Sequence, residues 1–303
     1  MRQITTLFQR KGHESMNNLT LRRLAGHVGA EIDGIDLNAD MSDAAFAEIL
    51  DAFHAHAVLV FRGQDLSPDR QVAFSRRFGP AIEHVLEGFR LGGHPEVFVV
   101  SNVHEDGKPK GAVYAGQYWH SDLSYMAEPA MASMLHAHQV PSAGGDTMFA
   151  AMHAAHDALS PPLGEFLAGL QAVHDYTHAY DTVLSKLPGR APMTAAEKAK
   201  VPPVVHPVIR RHPATERSAL YVNPGFTTPI QGLEEDESRA LLDFLFAHAT
   251  RPEFIYRHHW RPGDVVIWDN RCLMHRAVAD YDMAEARHMH RTTIAGDAPL
   301  PAT

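Results

Sequence analysis

Apolar positions alternate at the start of the chain and then switch to a helical period. Leu19 and Leu21 alternate with polar neighbours, and Ala30-Glu31-Ile32 follows a glycine-containing turn, as expected of two short strands. Ser42 is placed to cap a helix whose Phe46, Ile49, Leu50 and Phe53 recur at helical spacing. Ala57 to Phe61 reads as a buried strand, Ser67-Pro68 opens a second helix ending near Phe78-Gly79, and Glu96 to Val100 is another apolar strand. Glu105 to Pro109 is turn-like.

After Tyr118 the pattern breaks into many short strand candidates separated by Pro and Gly: Met131 to His138, Gln171 to Tyr176, Val204 to Arg210, Ala219 to Val222, Phe254 to Trp260, Asp264 to Trp268 and His288 to Ile294. Helical stretches near 151–170 and 234–248 interrupt them. Strands at this density with segregated helices predict a mainly β fold with helical insertions, a jelly-roll barrel. Residues 177–203 lack periodicity and predict a lid-like or disordered loop. No internal repeat or domain boundary stands out, so residues 18–303 are read as one domain and 1–17 as a possible disordered extension.

Composition narrows the function classes. A formal charge of −9 disfavours nucleic acid as a partner, and the short basic pairs Arg76-Arg77 and Arg210-Arg211 read as solvated element ends. Cys272 is the single cysteine, which excludes an internal disulfide or a CxxC site and points to a reducing cytoplasm. No signal-peptide or membrane-span run occurs. The unusual component is histidine, at 22 residues.

That abundance makes histidine spacing a weak guide. A His-x-acid pattern presents two ligands on one side of a strand, but shuffling 22 His and 36 acids over 303 positions yields about 2.6 such matches. Three occur, at His94-Pro-Glu96, His104-Glu-Asp106 and His120-Ser-Asp122. Context separates them. His104 opens a hydrophilic turn, and His94 precedes a proline at a bend. His120 lies between Tyr118-Trp119 and Leu123-Ser124-Tyr125, at the edge of an apolar region. From the residues alone, His120 and Asp122 are either metal ligands or a hydrogen-bonded pair at a strand end. His275 follows a strongly apolar strand and lies 275 − 122 = 153 residues beyond Asp122. Two histidines and one carboxylate suit non-haem Fe(II). Arg287 and Arg291 are four apart, so on a strand they share a side, where a guanidinium can bind a carboxylate at two points.

Taken together these residues resemble the taurine dioxygenase/aryloxyacetate dioxygenase family of 2-oxoglutarate-dependent oxygenases. The resemblance runs from about residue 18 and includes Phe61-Arg62-Gly63-Gln64, Arg77-Phe78-Gly79, Trp119-His120-Ser121-Asp122, Gly144-Gly145-Asp146-Thr147, Tyr221-Val222-Asn223-Pro224, Trp268-Asp269-Asn270-Arg271 and Met289-His290-Arg291. It implies a double-stranded β-helix, Fe(II) held by His120, Asp122 and His275, and 2-oxoglutarate bound through Thr147 and Arg287. It also implies hydroxylation of a small organic anion, a sulfonate or carboxylate, by O₂ with release of succinate and CO₂. Arg291 and His84 match positions that contact the substrate anion, while Tyr180 and Phe226 match aromatic pocket positions. Gly116 stands where taurine dioxygenases have an asparagine, and Glu87 where they have a tyrosine, which puts taurine itself in doubt. An alkylsulfatase or aryloxyalkanoate dioxygenase is the alternative within the family. A zinc hydrolase explains the three ligands without using Thr147 or Arg287, and a non-catalytic binding barrel remains a third reading. The family implies a homo-oligomer, a dimer or tetramer.

Overall fold

Val58–Phe61 is apolar at every position because both faces of its sheet are covered. The computed structural model describes residues 19–84, 87–182, 185 and 193–302. The proposed extension, residues 1–17, lies outside them. A nine-stranded sheet runs in the order Thr20–Arg23, Ala30–Asp33, Val58–Phe61, Val265–Asp269, Ala132–Gln139, His288–Ile294, His94–Ser101 and Arg90–Leu91, with Ala81–Ile82 also pairing to His288–Ile294. A second sheet, Ile255–His258, Thr147–Ala151 and Leu273–Ala277, packs against it in a jelly-roll arrangement.

Strand alternation divides the core. Leu59, Phe61, Met134, Val265 and Ile267 pack with Phe46, Ile49, Phe53 and Phe74 of the helices Asp43–His56 and Pro68–Arg76. Their neighbours Val58, Val60, Leu135, Val266 and Trp268 face the second sheet, meeting Phe149, Leu273 and Met274. Both helices start as expected: the Ser42 hydroxyl accepts from Ala45 N at 3.2 Å, and the Ser67 hydroxyl accepts from Arg70 N at 3.2 Å.

Three expectations change. The stretch near 151–170 forms two helices, Met152–Asp157 and Pro161–Ala168, broken where Ser160-Pro161 restarts the chain. Residues 177–203 are not uniformly irregular, since Tyr176–Thr182 and Ala195–Lys198 are helical. Asp175 accepts from Thr177 N at 2.7 Å, and Thr194 with Glu197 forms a capping box, so polar caps specify these short helices without an apolar period. Finally, Arg210 is buried rather than solvated, with its guanidinium 4.7 Å from the Tyr221 ring.

Several histidines are buried as neutral imidazoles. Burial pushes His153 down to about 4, and His174 and His290 to about 3. Each takes up a proton on unfolding once the pH falls below about 6.5, so stability present above that pH is lost as the pH falls toward 4 and 3. Urea-melt free energies are therefore expected to be flat above pH 7. Below pH 6.5 they should drop by ~1.4 kcal/mol per pH unit for each such histidine. A stability unchanged between pH 7 and pH 5 is the contrary result.

Candidate functional site

His120 sits in a single antiparallel bridge with His275 rather than in a regular strand. His120 N donates to His275 O at 3.0 Å and His275 N donates to His120 O at 2.8 Å, which fixes the two imidazoles side by side with ring centres 4.2 Å apart. The expectation of a strand carrying both His120 and Asp122 thus changes. The bridge is followed by Leu123 at φ 56°, a left-handed turn rare for leucine. Asp122 is aimed instead by its surroundings: its N donates to Asn270 Oδ1 at 3.2 Å, and Ser133 Oγ donates to Asp122 Oδ2 at 2.7 Å. His120 Nε2 lies 3.6 Å from Asp122 Oδ1, and His275 Nε2 lies 3.7 Å from Asp122 Oδ2. One donor atom from each of the three buried side chains falls within 4.8 Å of the others.

The protonation states suit a cation. His120 Nδ1 is 2.8 Å from Tyr118 O, so Nδ1 carries the proton and the Nε2 lone pair faces Asp122. Burial and the neighbouring His120 push His275 down to about 3, against the pull of Asp122, leaving it neutral near pH 7. Burial alone would raise the Asp122 carboxyl, but the Arg291 guanidinium beside it holds it well below the usual carboxylate range. Two imidazoles and one carboxylate are the donor set that fits Fe(II).

Thr147 and Arg287 approach this cluster from facing sheets. Thr147 pairs with Ala277 while Phe149 pairs with His275, so Thr147 lies two positions along the row that carries His275. Trp260 Nε1 donates to Thr147 Oγ1 at 3.0 Å and fixes it. Arg287 is buried, its Nε donating to Gly145 O at 3.1 Å. Among the described residues no carboxylate lies within 4.0 Å of its guanidinium, and desolvation lowers its affinity for its proton. A buried cation without a counter-ion calls for an anionic ligand. His120, His275, Thr147, Arg287, Arg291 and Gly116 line one cavity of about 400 Å³, counted with the space open to solvent.

Of the residues expected at the substrate, Arg291 and Gly116 line this cavity. Arg291 Nη1 lies 3.4 Å from Asp122 Oδ1, its guanidinium stands 4.9 Å from the Phe98 ring, and its Nε has no partner. His84 stacks on Phe98 at 3.9 Å between ring centres; burial, helped by Arg291, pushes it down to about 3. Phe226 stands 6.1 Å from the His120 ring and begins an aromatic wall with Tyr125 at 4.8 Å and Tyr176 at 6.2 Å. Tyr180 is buried, 6.4 Å from Tyr176. Gly116 has φ +70°, and a Cβ there would meet His120 Cε1 at 3.0 Å, so the position excludes a side chain beside the imidazole. Glu87 lies in an exposed turn 3.9 Å from Arg90, with its side chain 82% exposed, so it adds no acid to the cavity.

Ser133, Trp260 and Tyr125 were not singled out in the sequence. Ser133 had a signal, a lone hydroxyl within the fully buried run Ala132–Leu135. Trp260 had none, because its partner Thr147 is 113 residues away. The decoy patterns stay apart from the site: His104 is exposed in a hairpin, and His94 pairs with Asp69 at 3.0 Å.

The sequence profile described as "Taurine catabolism dioxygenase TauD, TfdA family" matches residues 20–293. This chain belongs to that family. It is 39% identical over 284 residues to the alpha-ketoglutarate-dependent 2,4-dichlorophenoxyacetate dioxygenase of Cupriavidus pinatubonensis, covering 89% of this chain and 95% of the relative. A taurine dioxygenase from Burkholderia xenovorans superposes with a TM-score of 0.78 at 35% identity, covering 93% of this chain and 91% of that one. The structure of AAD-2 in complex with Mn(II) and N-oxalylglycine superposes with a TM-score of 0.79 at 34% identity, covering 93% and 99%. The protein is accordingly an Fe(II)- and 2-oxoglutarate-dependent dioxygenase acting with O₂ on a small organic substrate, and the double-stranded β-helix expectation holds. No helix among the described residues is long and apolar enough to cross a membrane.

Proposed function

We propose that this TauD/TfdA-family dioxygenase hydroxylates a small organic anion with a flat apolar body, of the aryloxyalkanoate kind. Fe(II) is held by His120, Asp122 and His275, and the distal carboxylate of 2-oxoglutarate by Arg287 and Thr147. The observation that carries the anionic reading is the strand bearing Arg291, with Arg287 just before it, which aims two guanidiniums at one cavity. The aromatic wall Phe226, Tyr125 and Tyr176 favours a ring-bearing body over taurine. Bound Fe(II), with 2-oxoglutarate as co-reductant, supplies the O₂ chemistry that converts a C–H bond to C–OH, releasing succinate and CO₂.

The side chains have separable tasks in this reading. Ser133 holds one Asp122 oxygen so that the carboxylate keeps its direction. Trp260 keeps the Thr147 hydroxyl oriented as a donor toward the cosubstrate. Phe226 and the Trp268 ring, 4.7 Å from His275, exclude water from the imidazoles. Arg291 shares its charge between Asp122 and the substrate anion, and His84 stays neutral beside it as a hydrogen-bonding group. The same reading takes a reducing cytoplasm for the buried thiol of Cys272, a homo-oligomer, and no nucleic-acid partner for a chain of net charge −9.

Succinate release measured with an aryloxyacetate, an alkyl sulfate and taurine tests the proposal. The highest coupled turnover is expected with the aryloxyacetate, whose hydroxylated product is a hemiacetal that splits into a phenol and glyoxylate. Coupling with taurine alone defeats the aromatic body, and coupling with no anion defeats the anionic substrate.

A further inference from the structure

The oxygenase cavity uses one face of the strand His288–Ile294, and the opposite face carries chemistry it does not use. His288 and His290 project away from Arg287, Met289 and Arg291, and on the neighbouring strand Ala132–Gln139 His136 and His138 project away from Leu135 and Ala137. The register places His290 opposite His136, with a shift between His288 and Met289. Four imidazoles from two adjacent strands therefore meet on one patch. Ring centres are 4.2 Å apart for His136 and His138, 4.1 Å for His138 and His290, 5.1 Å for His288 and His290, and 5.7 Å for His138 and His288. The first two spacings lie within 0.1 Å of that of His120 and His275 in the oxygenase site, 4.2 Å.

Each ring also presents a nitrogen with nothing to bond. His136 Nδ1, His138 Nε2, His288 Nδ1 and His290 Nδ1 are buried without a hydrogen-bond partner. Leaving four polar atoms unsatisfied in one place costs free energy, and native proteins keep such sites for a ligand or a function. His136 identifies the kind of ligand. Its Nε2 lies 3.1 Å from Gln64 O, a carbonyl that only accepts, so Nε2 carries the proton and Nδ1 offers a bare lone pair. One ring nitrogen donating to a backbone carbonyl and the other left open is the arrangement of a metal-binding histidine.

We propose that His136, His138, His288 and His290 form a second metal site, separate from the oxygenase centre, for a borderline divalent transition metal such as Zn(II). An all-imidazole donor set selects Zn(II), Cu(II) or Ni(II) over Mg(II) or Ca(II). His136 and His290 are buried, while His138 and His288 are half-exposed and give the ion its route in. The groups around the patch are Asp65 beside His136 and His138, Lys110 beside His288, and His94 beside His290. Gln71 Nε2 donates to His290 O at 3.0 Å from the helix above. Three nitrogens do not yet converge within 4.8 Å, as the donor atoms of His120, Asp122 and His275 do. Bringing three of these nitrogens onto one ion requires the rings to turn about Cβ–Cγ, a soft torsion. The other preassembled cluster, His212, Asp269 and Cys272, is closed to a cation because Arg271 binds both Asp269 oxygens at 2.8 and 2.6 Å.

The test is the stoichiometry of Zn(II) on the tag-free full chain, measured by elemental analysis after equilibration against a weak chelator. Two equivalents are expected. The double variant His138→Asn/His290→Asn should retain one equivalent and the oxygenase turnover of the Fe(II)-loaded protein. A single equivalent in the unmodified chain, or a second equivalent that survives the double variant, overturns the proposal. Should the double variant fail to fold, histidine acylation by diethyl pyrocarbonate, mapped by mass spectrometry on the unmodified chain, decides. Protection of His138 and His288 by the second equivalent is expected, and unchanged labelling overturns the site.

Discussion

Asp122→Ala is expected to leave a folded protein that retains no stoichiometric Fe(II) and loses oxoglutarate turnover by ~10³-fold or more, since the bound metal supplies several kcal/mol of the catalysis. The variant removes the one carboxylate of the donor set and leaves Arg291 without its 3.4 Å contact to Asp122. Ser133→Ala gives the graded comparison. It keeps the ligand and removes only the 2.7 Å hydrogen bond that orients it. Its expected effect is a ~10–100-fold loss of iron affinity or activity. Iron content and succinate formation check both. Iron binding and turnover of the unaltered protein in Asp122→Ala would remove the carboxylate from the site.

Arg287→Ala is expected to raise KM for 2-oxoglutarate by ~10²–10³-fold, because a buried, hydrogen-bonded charge pair is worth about 2–5 kcal/mol. Little structural loss should accompany it. The Arg287 side chain has no carboxylate partner among the described residues, and its contact to Gly145 O is replaceable by water in the cavity it lines. Arg291→Ala should instead raise KM for the organic substrate. The reverse assignment of the two KM effects would show that the arginines have exchanged roles.

The order of strands and helices was legible wherever one rule governed a segment. Val58–Phe61 and Val265–Trp268 are continuous apolar runs because helices cover one face and the second sheet the other. The short helices within 177–203 were illegible because side-chain caps specify them, not an apolar stripe. In the site, His120 was separable from His94 and His104 by its apolar neighbours, whereas strand spacing showed only that Arg287 and Arg291 share a side, and the family resemblance supplied their roles. Spacing suggested a strand for His120 and Asp122, but a lone bridge and a left-handed Leu123 set their geometry. Those features depend on the pairing with His275, which is 155 residues away (275 − 120). Glu87 stood in the expected pocket position by sequence and points to solvent in space, since its short turn faces outward.

The strand His288–Ile294 with the preceding Arg287 is two instruments on one backbone. Odd positions carry guanidiniums into the oxygenase cavity, and even positions carry imidazoles to the other face. Such a segment tolerates exchange of side chains far better than a change of length. Deleting one residue between Arg287 and Arg291 would leave at most one of the two guanidiniums in the cavity and turn its partner to the opposite face. Substitutions between Arg287 and Arg291 are therefore expected to leave both guanidiniums in the cavity, whereas any odd change of length between them costs the cavity one.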